Sequence, residues 1–233
     1  MKRRQYQSGI SLIELMISLV IGLIILAGVV NIFIASRQTT QFSDGLRSMQ
    51  ENGRQGVFVL QNAIRAAGFT TANTPIAPIV LGGSANNKIA IFHQTDNDCT
   101  GTSTAAAPTP GFAVDTYAYD AANRQLTCLG DVTAAAGGAA VALVDNLWNF
   151  RVLYGLDSDA DGVTERYVDY AEVTNAADVS AVKFGLLVRT DFEVKDQPDT
   201  RKYTVLNDQY SVSNDKHGYQ VYQSSVIIRN KGS

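Results

Sequence analysis

Apolar positions are spread unevenly along this 233-residue chain. Residues 15–36, LMISLVIGLIILAGVVNIFIAS, contain no charged side chain, and a helix needs about 20 such residues to cross the hydrocarbon core of a bilayer. Beyond Arg37 the signal lies in the spacing. Phe42, Leu46, Met49, Gly53, Val57, Leu60, Ile64 and Ala67 recur at intervals of three and four, which is one apolar stripe of an amphipathic helix. Gly68 stands where a helix C-cap is expected. The two stretches predict one helix over residues 10–67, about 87 Å long at 1.5 Å per residue. Its first half is suited to a membrane and its second half to packing on a core. Gly22, Gly28, Gly45, Gly53 and Gly56 fall inside it and predict local bending or melting, because glycine is a poor helix former.

After Gly68, apolar residues alternate with polar ones between clusters of Gly, Asn, Asp and Pro, the pattern of short strands. Lys88–His93 predicts a strand. Phe112–Tyr119 and Arg124–Leu129 flank Asp120-Ala-Ala-Asn123 and predict a hairpin. Trp148, Phe150, Val152 and Tyr154 are expected on one strand face, as are Val182, Phe184, Leu186 and Val188, and more weakly Tyr222, Ser224, Val226 and Ile228. Residues 100–111 and 133–140, rich in small side chains, predict mobile loops. The expected fold is α+β: a long N-terminal helix packed on a mainly antiparallel β-sheet head. The expected divisions are a leader (1–9), a transmembrane and assembly helix (10–36), an amphipathic helix on the head (37–68) and a β-rich head (69–233).

Charge and composition narrow the function classes. With 45% hydrophobic and 18% charged residues the chain is suited to ordered structure. A net charge of −3 argues against nucleic-acid binding by phosphate neutralisation. His93 and His217 lie far apart, and HExxH, GxSxG, GxGxxG and GxxxxGK[ST] patterns do not occur, so the common enzyme and phosphate-loop signatures give no support to catalysis. The two cysteines, Cys99 and Cys128, would pair in an oxidising compartment and close a loop of about 30 residues, worth roughly 3–4 kcal/mol. Asp157, Asp159 and Asp161 alternate and are followed by Gly162, like the first half of an EF-hand-type calcium loop. Val163 could add its carbonyl and Glu165 its carboxylate. The closing position holds Val168 instead of a bidentate Glu, so weak Ca²⁺ binding and a metal-free Asp-rich turn are both open readings.

The N-terminus carries the most specific pattern. Lys2, Arg3 and Arg4 precede the apolar run, which keeps the N-terminus cytoplasmic and sends the head outward. Glu14 sits at the edge of that run, where an acid costs about 2.5–3.5 kcal/mol on insertion scales unless it snorkels to the interface or has a partner. Ser8-Gly9 followed by ISLIELMISLVIGLIIL resembles the prepilin motif of type IV pilins and type II secretion pseudopilins. The resemblance implies that a prepilin peptidase cuts after Gly9 and N-methylates Ile10, where family members usually have Phe. Glu14 becomes the fifth mature residue, the family's glutamate position. It could pair with the α-ammonium of a neighbouring subunit and set the axial register of assembly. Loss of the leader removes three positive charges and no acid, taking the formal charge from −3 to −6.

Glu51-Asn52-Gly53-Arg54 and Arg65-Ala66-Ala67-Gly68-Phe69 are similar to blocks of PilW-type minor pilins, as are Tyr154-Gly155 with the acidic loop and the closing strands LLVR and VIIRN. The resemblance implies a structural subunit that waits in the inner membrane and then helps prime pilus assembly, near the filament tip. The implied partners are other minor pilins, the major pilin, a tip adhesin and the inner-membrane assembly platform. No catalysis is implied. A minor pseudopilin of type II secretion is the alternative. A surface- or DNA-binding tip module and a metal enzyme on the Asp loop are the other classes considered.

Overall fold

The computed structural model describes residues 9, 11–71, 76–212 and 214–230. The leader residues 1–8 and Ile10 lie outside these. The chain divides into two units, Met1–Asp44 and Gly45–Ser233. Helix α1, Leu12–Ala66, runs through the boundary without interruption.

In the first unit every described residue is exposed, including the apolar run from Leu12 to Ile34. This segment meets the length and apolarity of a membrane span. Three hydroxyls of the first unit bond back to the helix: Ser18 donates to the Glu14 carbonyl at 2.8 Å, Thr39 to Ala35 at 2.9 Å and Thr40 to Ser36 at 3.0 Å. Such bonds spare these donors the cost of desolvation in apolar surroundings.

In the second unit α1 buries Gly45, Met49, Gly53, Gly56, Leu60, Ala63 and Ile64. The expected stripe is present from Leu46 to Ala67, widened by Gly45, Gly56 and Ala63, but Phe42, also expected on it, is exposed because it precedes the part of the helix that packs on the head. The helix does not melt at any of its five glycines, which corrects that part of the expectation. A Cβ at Gly53 would lie 2.2 Å from the Tyr222 ring, one at Gly56 2.5 Å from Leu186, and one at Gly45 3.0 Å from Val194. Gly53 and Gly56 are places of close approach between helix and sheet, and Gly45 between helix and the segment after β7; the contact offsets their low propensity.

Among the described residues ten strands follow: β1 Lys88–Gln94, β2 Phe112–Asp120, β3 Gln125–Gly130, β4 Val141–Val144, β5 Leu147–Leu156, β6 Arg166–Val168, β7 Val179–Arg189, β8 Lys202–Val205, β9 Asp208–Ser211 and β10 Tyr219–Ile227. A short helix α2, Asp131–Ala135, follows β3. The strands form an antiparallel sheet β1-β2-β3-β4, a second β10-β7-β5-β6, and the hairpin β8-β9. Both four-stranded sheets and the second half of α1 share one core, with Leu60 and Ile64 of α1, Ile89 and Ile91 of β1, Leu126 of β3, and Phe150, Phe184 and Leu186 all fully buried. The predicted hairpin is β2-β3, in register from Asp120↔Gln125 to Asp115↔Gly130.

β5 departs from the expected alternation. A bulge between Leu147 and Asn149 shifts the register. Leu147, Phe150, Val152 and Tyr154 face the main core, whereas Trp148 joins a second cluster with Leu187, Val205, Val212 and Tyr219. A bulge adds one residue and so turns the next side chain to the opposite face. Hairpin β8-β9 covers this outer face, and Gly185 of β7 makes room for Val205, 2.6 Å from where its Cβ would be. Arg151 on β5 is buried and tied to Asp169 at 2.6 Å and to Asp208 at 3.1 Å. Asn230 closes the fold, its side-chain amide donating to the Arg65 and Ala67 carbonyls at 3.0 and 3.3 Å. Gly68 beside them has φ +75°, the expected left-handed C-cap.

Candidate assembly site and the chemistry of the head

The N-terminal residues singled out by sequence fall at the start of α1. Gly9 is exposed and outside regular structure, and Ile10 lies outside the described residues. Glu14 is in the first turn of α1, exposed, and its carboxylate has no hydrogen bond or ion pair among the described residues. A carboxylate there is favoured by the helix dipole. It is also the only acid in a stretch of exposed apolar side chains, free to meet a cation supplied from outside the chain.

Cys99 and Cys128 form the expected disulfide, with Cα atoms 6.3 Å apart. Cys128 lies on β3, fully buried, and Cys99 in the loop after β1. The buried Asp115 on β2 anchors that loop: one carboxylate oxygen accepts from the Cys99 amide at 2.9 Å, the other lies 3.0 Å from His93 Nε2. Residues expected to be loose are also tied down. Buried Asp98 accepts from Thr100 and Thr102 amides at 3.0 Å and from the Thr133 amide and hydroxyl at 3.1 and 2.8 Å. Burial works against its charge, but these hydrogen bonds prevail and lower its pKa. The carboxylate also caps α2, and Gly130 is required for it: a Cβ there would lie 2.1 Å from Asp98 Oδ2.

In the acidic loop, Asp157, Asp159 and Glu165 place carboxylate oxygens within 4.8 Å of one another. Asp161 does not join them. It accepts from the Val163 amide at 2.7 Å, while Asp157 accepts from the Gly162 amide at 3.2 Å and Glu165 from the Ser158 amide at 3.0 Å. Val163 is exposed. Three of the five candidate calcium ligands are thus gathered, by turns that Asp and Gly favour without a metal.

Two features escaped sequence reasoning. Asp199 is a buried carboxylate in the connection before β8. Hydrogen bonds from Arg201, opposed by burial and joined by Lys195 and Tyr203, hold it far below the usual carboxylate range. Its partners were visible only as a run, KDQPDTRKY. The second is a groove of about 580 Å³ lined by Glu51, Arg54, Gln55, Phe58 and Gln61 of α1 and by Tyr222 and Gln223 of β10. The Glu51–Arg54 block therefore has a structural meaning: Gly53 admits Tyr222, and Glu51 and Arg54 flank the groove.

Matches to two family models define the class, a type IV pilin-like protein. The prokaryotic N-terminal methylation motif matches residues 4–30. The family of type IV pilus-assembly protein W, PilW, matches residues 112–230, half of the chain, and the chain belongs to that family. The match takes in β2 to β10 and the acidic loop; residues 49–69, with the two helix blocks, lie outside it. A type IV-like pilin from Thermus thermophilus is similar with a TM-score of 0.44 and 12% identity, over 78% of this chain and 97% of that one. No curated protein matches the sequence.

Proposed function

We propose that this chain is a minor pilin that helps prime assembly of a type IV pilus and is located at the filament tip. One observation carries the reading: a single acid, Glu14, without a partner among the described residues, stands in the first turn of an apolar helix segment that precedes a PilW-family head. Glu14 pairs with the methylated α-ammonium of a neighbouring subunit, which sets register as the span leaves the bilayer. Gly9 and Ile10 carry processing by the prepilin peptidase. The protein is anchored in the inner membrane with its head periplasmic before incorporation. The head selects partners among other minor pilins, the major pilin and a tip adhesin, and the assembly platform moves them. The role is structural and not enzymatic.

Deletion of the protein, assayed for sheared surface pili and for secreted enzymes, tests this. Pili lost with secretion intact is the expected result. Secretion lost with pili intact would make the chain a pseudopilin of type II secretion. Glu14→Ala in the full chain is expected to reduce surface pili at least tenfold with the head still folded. Retention of pili in that variant would overturn the role given to Glu14.

A further inference from the structure

The two four-stranded sheets have four edges, and three are protected. β6 is three residues long and carries Arg166. β4 is four residues long and meets its neighbour across a register shift. β1 is covered by residues 78–80, through Val80 N to Ala90 O at 2.9 Å and Phe92 N to Pro78 O at 3.0 Å. β10 has none of these devices. It is nine residues long, YQVYQSSVI, with no charge, no proline and no bulge in its pairing with β7. Natural proteins rarely leave such an edge bare.

The register shows which backbone groups are free. Thr190 N donates to Gly218 O at 2.9 Å, and Ile228 N donates to Ser180 O at 2.8 Å. Hydrogen-bonded pairs alternate along an antiparallel ladder. Even-numbered residues from 218 to 228 therefore turn their N–H and C=O groups toward β7, and Val221, Gln223, Ser225 and Ile227 turn theirs away. Among the described residues, nothing hydrogen-bonds those outward groups. Gln223, Ser225 and Ile227 are exposed. The groove between α1 and β10 runs beside this edge, with Phe58 61% exposed on its α1 side.

We infer that β10 accepts an extended strand from another subunit of the same pilus, which extends the sheet β10-β7-β5-β6 by one. A row of outward N–H and C=O groups is complementary to another backbone, and neither a helix nor a small molecule can satisfy it in sequence. The incoming strand has apolar side chains at alternate positions, facing Phe58 and Tyr222, and polar ones between them, level with Gln223 and Ser225. This rests on the assembly role proposed above and names the chemistry of one head contact.

Hydrogen exchange resolved by residue tests the inference on the full-length chain. It is measured in detergent alone and in the complex formed by co-expression with its fellow pilus subunits. Alone, the amides of Val221, Gln223, Ser225 and Ile227 exchange fast, and those of Gln220, Tyr222, Ser224 and Val226 slowly. In the complex the odd-numbered set is expected to slow at least a hundredfold. Odd-numbered amides that stay fast in the complex overturn the proposal. So does protection already present in the chain alone, which would seat a second copy on the edge. In cells, Gln223→Pro removes an outward N–H that the β7 ladder does not use. It should reduce surface pili at least tenfold, whereas Gln223→Ala, which keeps the N–H, should cost no more than threefold. Equal losses, or no loss with proline, overturn strand addition. If the proline variant does not fold, the exchange measurement decides. Normal piliation with Gln223→Pro but not with Glu14→Ala would defeat strand addition alone. Normal piliation in the deletion would defeat the assembly role.

Discussion

The two halves of α1 both contain glycines, but in opposite surroundings. From Leu12 to Asp44 the side chains are exposed, and Gly22 and Gly28 have no atom within 4 Å of where a Cβ would be. From Gly45 to Ala66 the glycines are the points of tightest contact, with Tyr222 and Leu186 pressed against Gly53 and Gly56. Propensity treats all five glycines alike. What separates them is whether a sheet lies opposite. In the head half glycine is a packing residue. In the N-terminal half no described atom lies opposite Gly22 or Gly28, and there glycine costs only helix propensity.

The largest test of this contrast is removal of the disulfide. Cys99→Ala with Cys128→Ala releases a crosslink spanning 29 residues and should cost the head roughly 3–4 kcal/mol. Urea unfolding followed by Trp148 fluorescence would show it, with the helicity of the N-terminal half unchanged. A loss shared by both halves would break the division. Next, Gly53→Ala should destabilise the head by about 1–3 kcal/mol through overpacking, while Gly22→Ala should leave head unfolding within about 0.5 kcal/mol of the parent. Equal effects would mean that Tyr222 yields and that the two glycines are not different in kind.

Acid should act on the head alone. Asp199 and Asp98 have folded pKa values below their ordinary ones, and so does Asp215 before β10, where burial is outweighed by hydrogen bonds from the Tyr219 hydroxyl and the His217 amide. Their stabilisation is therefore complete above the unfolded carboxylate value of about 4 and is lost as pH falls through the lower folded values. Thermal unfolding of the head should be flat from pH 8 to 5 and decline below about pH 4. Asp199→Asn should lower the plateau, by roughly 1–2 kcal/mol, and soften the acid decline. Calcium is the smallest expected effect. With three carboxylates gathered and no closing bidentate glutamate, binding is expected at a Kd of about 10⁻⁴ M or weaker. Calorimetric titration measures it, with Asp157→Asn as the comparison; a micromolar Kd would show that the loop rearranges to bring in Asp161 and Val163.

Much of the architecture was legible because it depends on local pattern. The helix bounds, the β2-β3 hairpin and the inward faces of β7 and β10 follow from spacing, and the cysteine pair from compartment and number. The failures share one cause. Trp148 lies on the face opposite to the one its spacing predicts, because a bulge leaves no mark in composition. The Thr-rich segments read as loose because their anchor, Asp98, is brought to Thr133 from 35 residues away. The groove and the open edge of β10 were invisible because they join residues 51–61 to 222–223.

The sequence by itself determined that a long apolar span with one acid precedes a β-rich head, since hydropathy, charge and period are properties of neighbouring residues. Only the tertiary structure decided which glycines are packing surfaces, where Asp199 finds its cations and which strand edge stays bare. Those outcomes depend on what is placed opposite a residue, and packing across the core brings together positions far apart in the chain.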